Sequence, residues 1–390
     1  TAFREMNHAI LNQHLRFKQP TLNSDEQTGE LENIGNSIVL SNDATWPIDY
    51  TVQWYPYQIV FIVMNVVAII DPFSEERITT DCLWFPTGGG KTEAYLGLIG
   101  LSILFSRLTG INRGGVVVLM RYTLRLLTAQ QFQRAACLIT ALEHIRRMNP
   151  SDYGEVPISI GLYVGSTFSP NTRRDALANF NDLFNRSKKV KNNLTLLKCP
   201  WCGAQMGPVN SRGYTTLKGY RKGYVPGTRK NTIKYICDNN LCEFSESDGL
   251  PIFVIDEDIY ESHPTMLIGT VDKFATLPWK EEAIKMLAPD DDIGKPSLII
   301  QDELHLITGP LGSMVGLYET LVNEICAIEV DGKKAYPKII TSTATVNNAA
   351  HQINALYNHG NFEKDQFKSD YIKQFPSPGL EYNDSFFGEE

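Results

Sequence analysis

Nine residues, Phe85-Pro86-Thr87-Gly88-Gly89-Gly90-Lys91-Thr92-Glu93, constrain this chain more than any others. They lie between an apolar stretch that includes Leu83-Trp84-Phe85 and an apolar helical pattern, Ala94-Tyr95-Leu96-Gly97-Leu98-Ile99. The order predicts a buried strand, a glycine-rich loop and a helix N-terminus in succession. Free backbone N–H groups and the helix dipole at such a place favour a polyphosphate. Lys91 is placed to reach the β and γ phosphates and Thr92 to hold Mg²⁺. Thr87, Gly88, Gly89, Gly90, Lys91, Thr92 and Glu93 are therefore the expected ATP cradle. A glycine-rich turn with a stray lysine would not require this whole spacing. One departure is that the general phosphate-loop pattern has glycine five residues before its last glycine, where Phe85 stands here.

At 390 residues, 43% of them hydrophobic, the chain can bury a large core and is expected to form two or three structural units. It begins with Thr1 rather than methionine, which reads as a processed chain or an excerpt of a longer one. Met6 to Phe17 has the spacing of a short amphipathic helix, and a polar, acidic linker follows, so residues 1–50 are read as accessory. From Tyr57 onward apolar strands alternate with helices. The expected strands include Val116-Val117-Val118-Leu119, Ile158 to Tyr163, Met266 to Gly269, Leu298-Ile299-Ile300 and Ile339-Ile340, with a long helix over Leu124 to Arg147. Val/Ile/Leu strands separated by helices predict an α/β fold with a mainly parallel sheet covered on both faces. The run Ile59 to Ile70, interrupted by Asn65, falls short of the about 20 apolar residues that span a bilayer, so a buried helix is expected there. No signal peptide is visible, and seven cysteines, four in metal-ligand spacing, suit a reducing cytoplasm.

Further motifs follow the phosphate loop in order. Asp302-Glu303-Leu304-His305 succeeds the apolar strand Leu298-Ile299-Ile300, which places the carboxylates at the strand end where α/β sheets hold ligands. Asp302 is expected to hold Mg²⁺ through water, and Glu303 to orient and deprotonate an attacking water. Thr341-Ser342-Thr343-Ala344-Thr345 closes another apolar strand; alone, such a cluster is ordinary turn chemistry. In this order the motifs resemble superfamily 2 helicases and translocases. The resemblance implies a RecA-like ATPase lobe, catalytic roles for Lys91, Asp302, Glu303 and His305, and coupling of nucleotide state to strand movement by Ser342, Thr343 and Thr345. It also makes Met120-Arg121-Tyr122-Thr123-Leu124-Arg125 and Gly269-Thr270-Val271-Asp272-Lys273 look like nucleic-acid motifs, with Arg121, Arg125, Thr270 and Lys273 contacting the phosphate backbone independently of sequence. Exposed arginines at a helix start are the plainer alternative. Gln58, about 30 residues before the loop, resembles the family's adenine-reading glutamine.

Cys199-Pro200-Trp201-Cys202-Gly203 pairs with Cys237-Asp238-Asn239-Asn240-Leu241-Cys242, two knuckles suited to a closed, structural zinc site of four cysteines. A redox dithiol is the other chemistry such spacing carries. Net charge is −8, yet between Arg173 and Cys237 14 Lys/Arg face 2 Asp, leaving 22 basic and 42 acidic residues elsewhere. A local patch bears on polyanion binding more than the sum does. Between the knuckles, Arg212, Lys218, Arg221, Lys222, Arg229, Lys230 and Lys234 interleave with Tyr214, Tyr220, Tyr224 and Tyr235, as in a surface that binds phosphates and stacks on bases. A solvated basic loop, or one that meets an acidic protein, has the same composition.

The strings Phe85 to Leu98, Leu119 to Ala135 and Gln301 to Met314, with the zinc insert and the Phe375 to Phe387 tail, are similar to the DrmA-type helicase-like subunits of the DISARM anti-phage system. The resemblance implies a cytoplasmic DNA helicase or translocase subunit using ATP, Mg²⁺ and Zn²⁺, with a DrmB-like partner subunit and no membrane. On this reading residues 51–350 form the first motor lobe, 195–250 a zinc ribbon inserted in it, and 351–390 a linker toward a second lobe. After Thr345 no Gln-x-x-Gly-Arg-x-x-Arg-like segment follows to supply a transition-state arginine, so the chain alone is expected to hydrolyse ATP poorly. The competing class is a non-motor module that senses ATP and recognises DNA through the zinc ribbon.

Overall fold

The computed structural model describes residues 1–22, 52–85, 89–123, 125–185, 189–209, 212–215, 223–227, 232–246, 248–289, 293–343, 349–357 and 372–376, with the backbone alone at 125–129. The chain divides into two units, Thr1–Val52 with Leu126–Thr265 and Gln53–Arg125 with Met266–Glu390. In chain order the strands are β1 (Thr80–Trp84), β2 (Val118–Tyr122), β3 (Ile160–Tyr163), β4 (Tyr224–Pro226), β5 (Ile233–Tyr235), β6 (Ile252–Phe253), β7 (Met266–Thr270), β8 (Leu298–Gln301), β9 (Ile328–Val330), β10 (Lys333–Ala335), β11 (Lys338–Thr343) and β12 (Ile372–Phe375).

The unit formed by Gln53–Arg125 and Met266–Glu390 is built on six of these strands in the order β12-β1-β11-β8-β2-β7, every neighbouring pair parallel. Val118, Leu119, Ile268, Ile299, Ile300 and Ile340 are wholly buried, as strands covered on both faces require. Because the strands run one way, the segments that follow them emerge at one edge, where such sheets bind ligands. Near that edge Trp84 lies opposite Thr343, Gln301 opposite both Thr341 and Arg121, and Tyr122 opposite Thr270. The helix Lys91–Leu108 is buried along nearly its whole length, in keeping with its apolar sequence. It approaches the helix Pro56–Met64 closely at Gly97, where a Cβ would come within 2.7 Å of the Ile62 side chain.

The single buried helix expected over Ile59 to Ile70 is instead two short helices, Pro56–Met64 and Val66–Ile70, separated at Asn65. The Asn65 side chain donates to the Phe61 carbonyl, a local bond that competes with helix continuation. Phe61, Ile62, Ala68 and Ile69 are buried, whereas Val60, Val63, Met64, Val67 and Ile70 are exposed.

In the other unit the long helix Arg125–Met148 turns Ala136, Leu138, Ile139 and Leu142 into the core. Near its end the buried Glu143 carboxylate accepts from Arg146, Arg147 and the Ile158 amide, at 2.8–2.9 Å, so the charge enters the interior fully paired. β3 and β6 pair in parallel, and β4 and β5 form a separate antiparallel pair. The N-terminal helix Ala2–Lys18 extends beyond the expected Met6 to Phe17 at both ends. Among the described residues no helix is long and apolar enough to cross a membrane.

Candidate functional site

The phosphate loop begins where β1 ends. Thr87 and Gly88, with Pro86, lie outside the described residues. Gly90 has φ +85°, a left-handed conformation that glycine adopts without a Cβ clash. A Cβ there would also stand 2.9 Å from Gln58 Nε2 and 3.2 Å from the Tyr57 hydroxyl. Gln58 and Tyr57 thus close over the loop backbone: Gln58 Nε2 donates to the Gly90 carbonyl at 2.8 Å, and the Tyr57 hydroxyl donates to the Gly89 carbonyl. Gln58 Oε1 simultaneously accepts the Tyr55 amide at 2.8 Å, so the residue expected to read adenine also caps its own helix. Lys91 and Thr92 open the following helix, and the Glu93 amide donates back to the Gly90 carbonyl at 3.2 Å. The Lys91 ammonium is buried and donates to the carbonyls of Phe85 (2.9 Å) and Thr343 (3.2 Å), at the ends of β1 and β11. Two neutral carbonyls are weak partners for a buried cation, which suits an ammonium whose stronger partner is an anionic ligand.

The acidic pair stands beside it. Asp302 Oδ1 accepts the Glu303 amide at 2.9 Å and Oδ2 accepts the Tyr95 hydroxyl at 2.8 Å, while the Asp302 amide is anchored on the Arg121 carbonyl at 3.0 Å. Tyr95, one turn after Thr92, also lies 3.3 Å from its hydroxyl. Tyr95 therefore joins Thr92 and Asp302, whose side-chain oxygens are of the kind a hard cation such as Mg²⁺ takes. Glu303 holds φ +51°, left-handed for a residue that disfavours it, a form of strain that gathers at functional sites. Half-burial, with Asp302 beside it, raises the Glu303 carboxyl above its ordinary pKa, against the pull of Lys91 and His305. That moves it toward the range of a general base. His305 Nδ1 lies 3.4 Å from Glu303 Oε2 and 3.3 Å from Thr343 Oγ1, which joins the acidic motif to the end of β11. Ser342 is fully buried and its hydroxyl has no hydrogen-bond partner among the described residues; Thr345 lies outside them.

Of the four residues expected at nucleic-acid phosphates, the three with described side chains are buried. Arg121 is wholly buried in a bidentate pair with Glu319, at 2.6 and 3.0 Å, on the helix Gly309–Cys326. Burial disfavours its charge, but Glu319 outweighs this and raises its pKa above the ordinary arginine value. Thr270 is buried and its hydroxyl has no partner among the described residues; Lys273 is buried on the short helix Val271–Phe274. The Arg125 side chain lies outside the described residues.

The unit holding the zinc motif brings Cys199, Cys202, Cys237 and Cys242 together, all buried, with their sulfurs within 4.8 Å of one another. Cys199 and Cys242 are separated by 3.9 Å and Cys202 and Cys237 by 3.4 Å. Tetrahedral thiolates at a Zn–S length of about 2.3 Å stand roughly 3.8 Å apart, so the donor set and its spacing fit zinc. Hydrogen bonds from the other three thiols pull Cys202 far below the usual thiol range, while burial holds Cys199 well above it. Outside the cysteines, the Arg16 guanidinium stacks 3.3 Å from the Trp201 ring centroid and donates to the Trp201 carbonyl, and Gln19 donates to the Cys202 carbonyl at 3.0 Å. Burial lowers the Arg16 pKa to about 10, opposed by the neighbouring thiols.

Tyr224 and Tyr235, expected on a base-stacking surface, are buried instead. Their rings pack edge to face at 5.4 Å, and Tyr224 accepts from Asn192 at 2.7 Å and donates to the Leu196 carbonyl. Lys218, Tyr220, Arg221, Lys222, Arg229 and Lys230 lie outside the described residues. Tyr95, Glu319 and Arg16 did not stand out in the sequence. For Tyr95 the available signal was its i+3 spacing from Thr92 on one helix face.

No protein-family model matches the chain. It is similar to the DISARM protein DrmA of Bacillus paralicheniformis, with 36% identity over 382 residues, covering 87% of this chain and 32% of that protein. The chain thus spans about a third of the length of that curated relative.

Proposed function

Because the chain is homologous to the helicase-like DISARM subunit DrmA, we propose that it is the first RecA-like lobe of an ATP-driven nucleic-acid motor, with DNA as the track. The observation that carries this reading is the meeting of three separate segments at one sheet edge. Lys91 and Tyr95 come from the helix after β1, Asp302, Glu303 and His305 from the turn after β8, and Thr343 from the end of β11.

On this proposal the Lys91 ammonium exchanges its carbonyl partners for the β and γ phosphates, while loop amides before the helix hold the remaining oxygens. Mg²⁺, when bound, would neutralise charge on those oxygens, with Thr92 and Asp302 the residues that hold it. Glu303 accepts the proton of the attacking water as its oxygen bonds to the γ phosphorus and the bond to the β-phosphate oxygen breaks. His305 links the Glu303 carboxylate to Thr343, giving β11 a means of sensing the state of the site. The proposal extends to a lobe over 51–350 with a zinc ribbon at 195–250, a DrmB-like partner subunit and a role in defence against phage.

Glu303→Gln separates a motor from an ATP sensor. A motor variant should still bind Mg-ATP but lose turnover by a factor of about 10² or more, the range for removing a general base. Retained turnover would remove Glu303 from catalysis, and defence retained without turnover would favour a sensor.

A further inference from the structure

We infer that Tyr95 is a positioning residue for the divalent cation, holding the two groups expected to bind it, Thr92 and Asp302, in one fixed arrangement. This rests on the nucleotide-site reading above and deepens it. The Tyr95 side chain is 1% exposed, and its hydroxyl lies 2.8 Å from Asp302 Oδ2 and 3.3 Å from Thr92 Oγ1. A phenol has one proton to donate. The shorter contact, to the acidic oxygen, takes it, because a charged acceptor forms the stronger bond. The Tyr95 oxygen is then free to accept the proton of Thr92. The chain of bonds runs from Thr92 through Tyr95 to Asp302 and turns a lone pair of the threonine oxygen away from the tyrosine.

Asp302 is constrained at its other oxygen as well. Oδ1 accepts the Glu303 amide at 2.9 Å, so each carboxylate oxygen already has one donor fixing the plane of the group. Thr92 and Tyr95 occupy i and i+3 on one helix and share a face, whereas Asp302 follows β8. Tyr95 is thus a direct side-chain link between phosphate-loop helix and acidic turn. A phenylalanine would fill nearly the same space but could make neither bond.

The test reads metal dependence, not hydrolysis. A fluorescent ATP analogue is titrated into wild type and Tyr95→Phe in excess EDTA, then at saturating nucleotide against rising free Mg²⁺. The expected result is unchanged affinity in EDTA, an unfolding temperature near wild type, and a Mg²⁺ midpoint raised about tenfold, the lower end of the loss seen when an outer partner of a metal ligand is removed. If the phenylalanine variant does not fold, Tyr95→Met, which also lacks the hydroxyl, takes its place. An unchanged Mg²⁺ midpoint, or an equal loss of affinity in EDTA, overturns the positioning role and leaves the nucleotide site standing. Wild type that binds no better than Lys91→Ala with Mg²⁺ present sinks the nucleotide site and this role together.

Discussion

Arg121 shows how far a residue's surroundings can redirect its expected work. Its place at the end of β2 suggested phosphate contact, but the guanidinium is enclosed with Glu319, a partner 198 positions away that no local spacing could reveal. The pair ties β2 to the helix Gly309–Cys326, while the Arg121 backbone carbonyl holds the Asp302 amide. Glu319→Gln leaves a buried, uncompensated guanidinium and should lower the unfolding free energy by about 3–5 kcal/mol. Replacing Arg121 and Glu319 together by Met should cost far less, because no charge is then stranded. Denaturant unfolding of the two variants checks this; equal losses would mean that the ion pair is not what Arg121 contributes. The motif singled out Glu303, yet its left-handed backbone was not legible, since nothing in Asp302-Glu303-Leu304-His305 calls for φ +51°.

At the level of elements, apolar runs marked what is buried more reliably than where pairing starts and stops. Val116 and Val117 are as buried as Val118, but the ladder runs from Val118 to Tyr122 because Met266–Thr270 supplies its partners. The segment Ile59 to Ile70 departs from expectation for a related reason: hydrophobicity alone does not tell which face of a helix a neighbour covers, and here the helix Lys91–Leu108 packs on one side of Pro56–Met64. The cysteine knuckles were legible from spacing, whereas the attachment of the N-terminal helix to them through Arg16 and Gln19 depends on tertiary placement. That attachment makes the helix a reporter of the four-cysteine cluster. Purified protein should carry about one zinc per chain, and stripping it with a chelator should expose the Ala2–Lys18 helix to protease and alter the Trp201 fluorescence. Metal-free protein with an unchanged cleavage pattern would contradict a structural zinc site.

Across the whole molecule, the mainly parallel sheet and the order of motifs along it were readable because buried parallel strands are apolar throughout and ligand groups collect at their carboxyl ends. The resemblance to DrmA read from those strings agrees with the 36% identity found over 87% of the chain. Composition could not separate the tyrosines of the zinc region into interior and surface, and Tyr224 and Tyr235 proved to be interior. The central claim is that ATP chemistry at the Lys91–Asp302–Glu303 edge is coupled to DNA. Its most direct test is ATP turnover by the intact protein with and without DNA, with Lys91→Ala as the blank. The account expects DNA to raise turnover and Lys91→Ala to abolish it; an intact protein that binds ATP but turns it over no faster with DNA would contradict the claim.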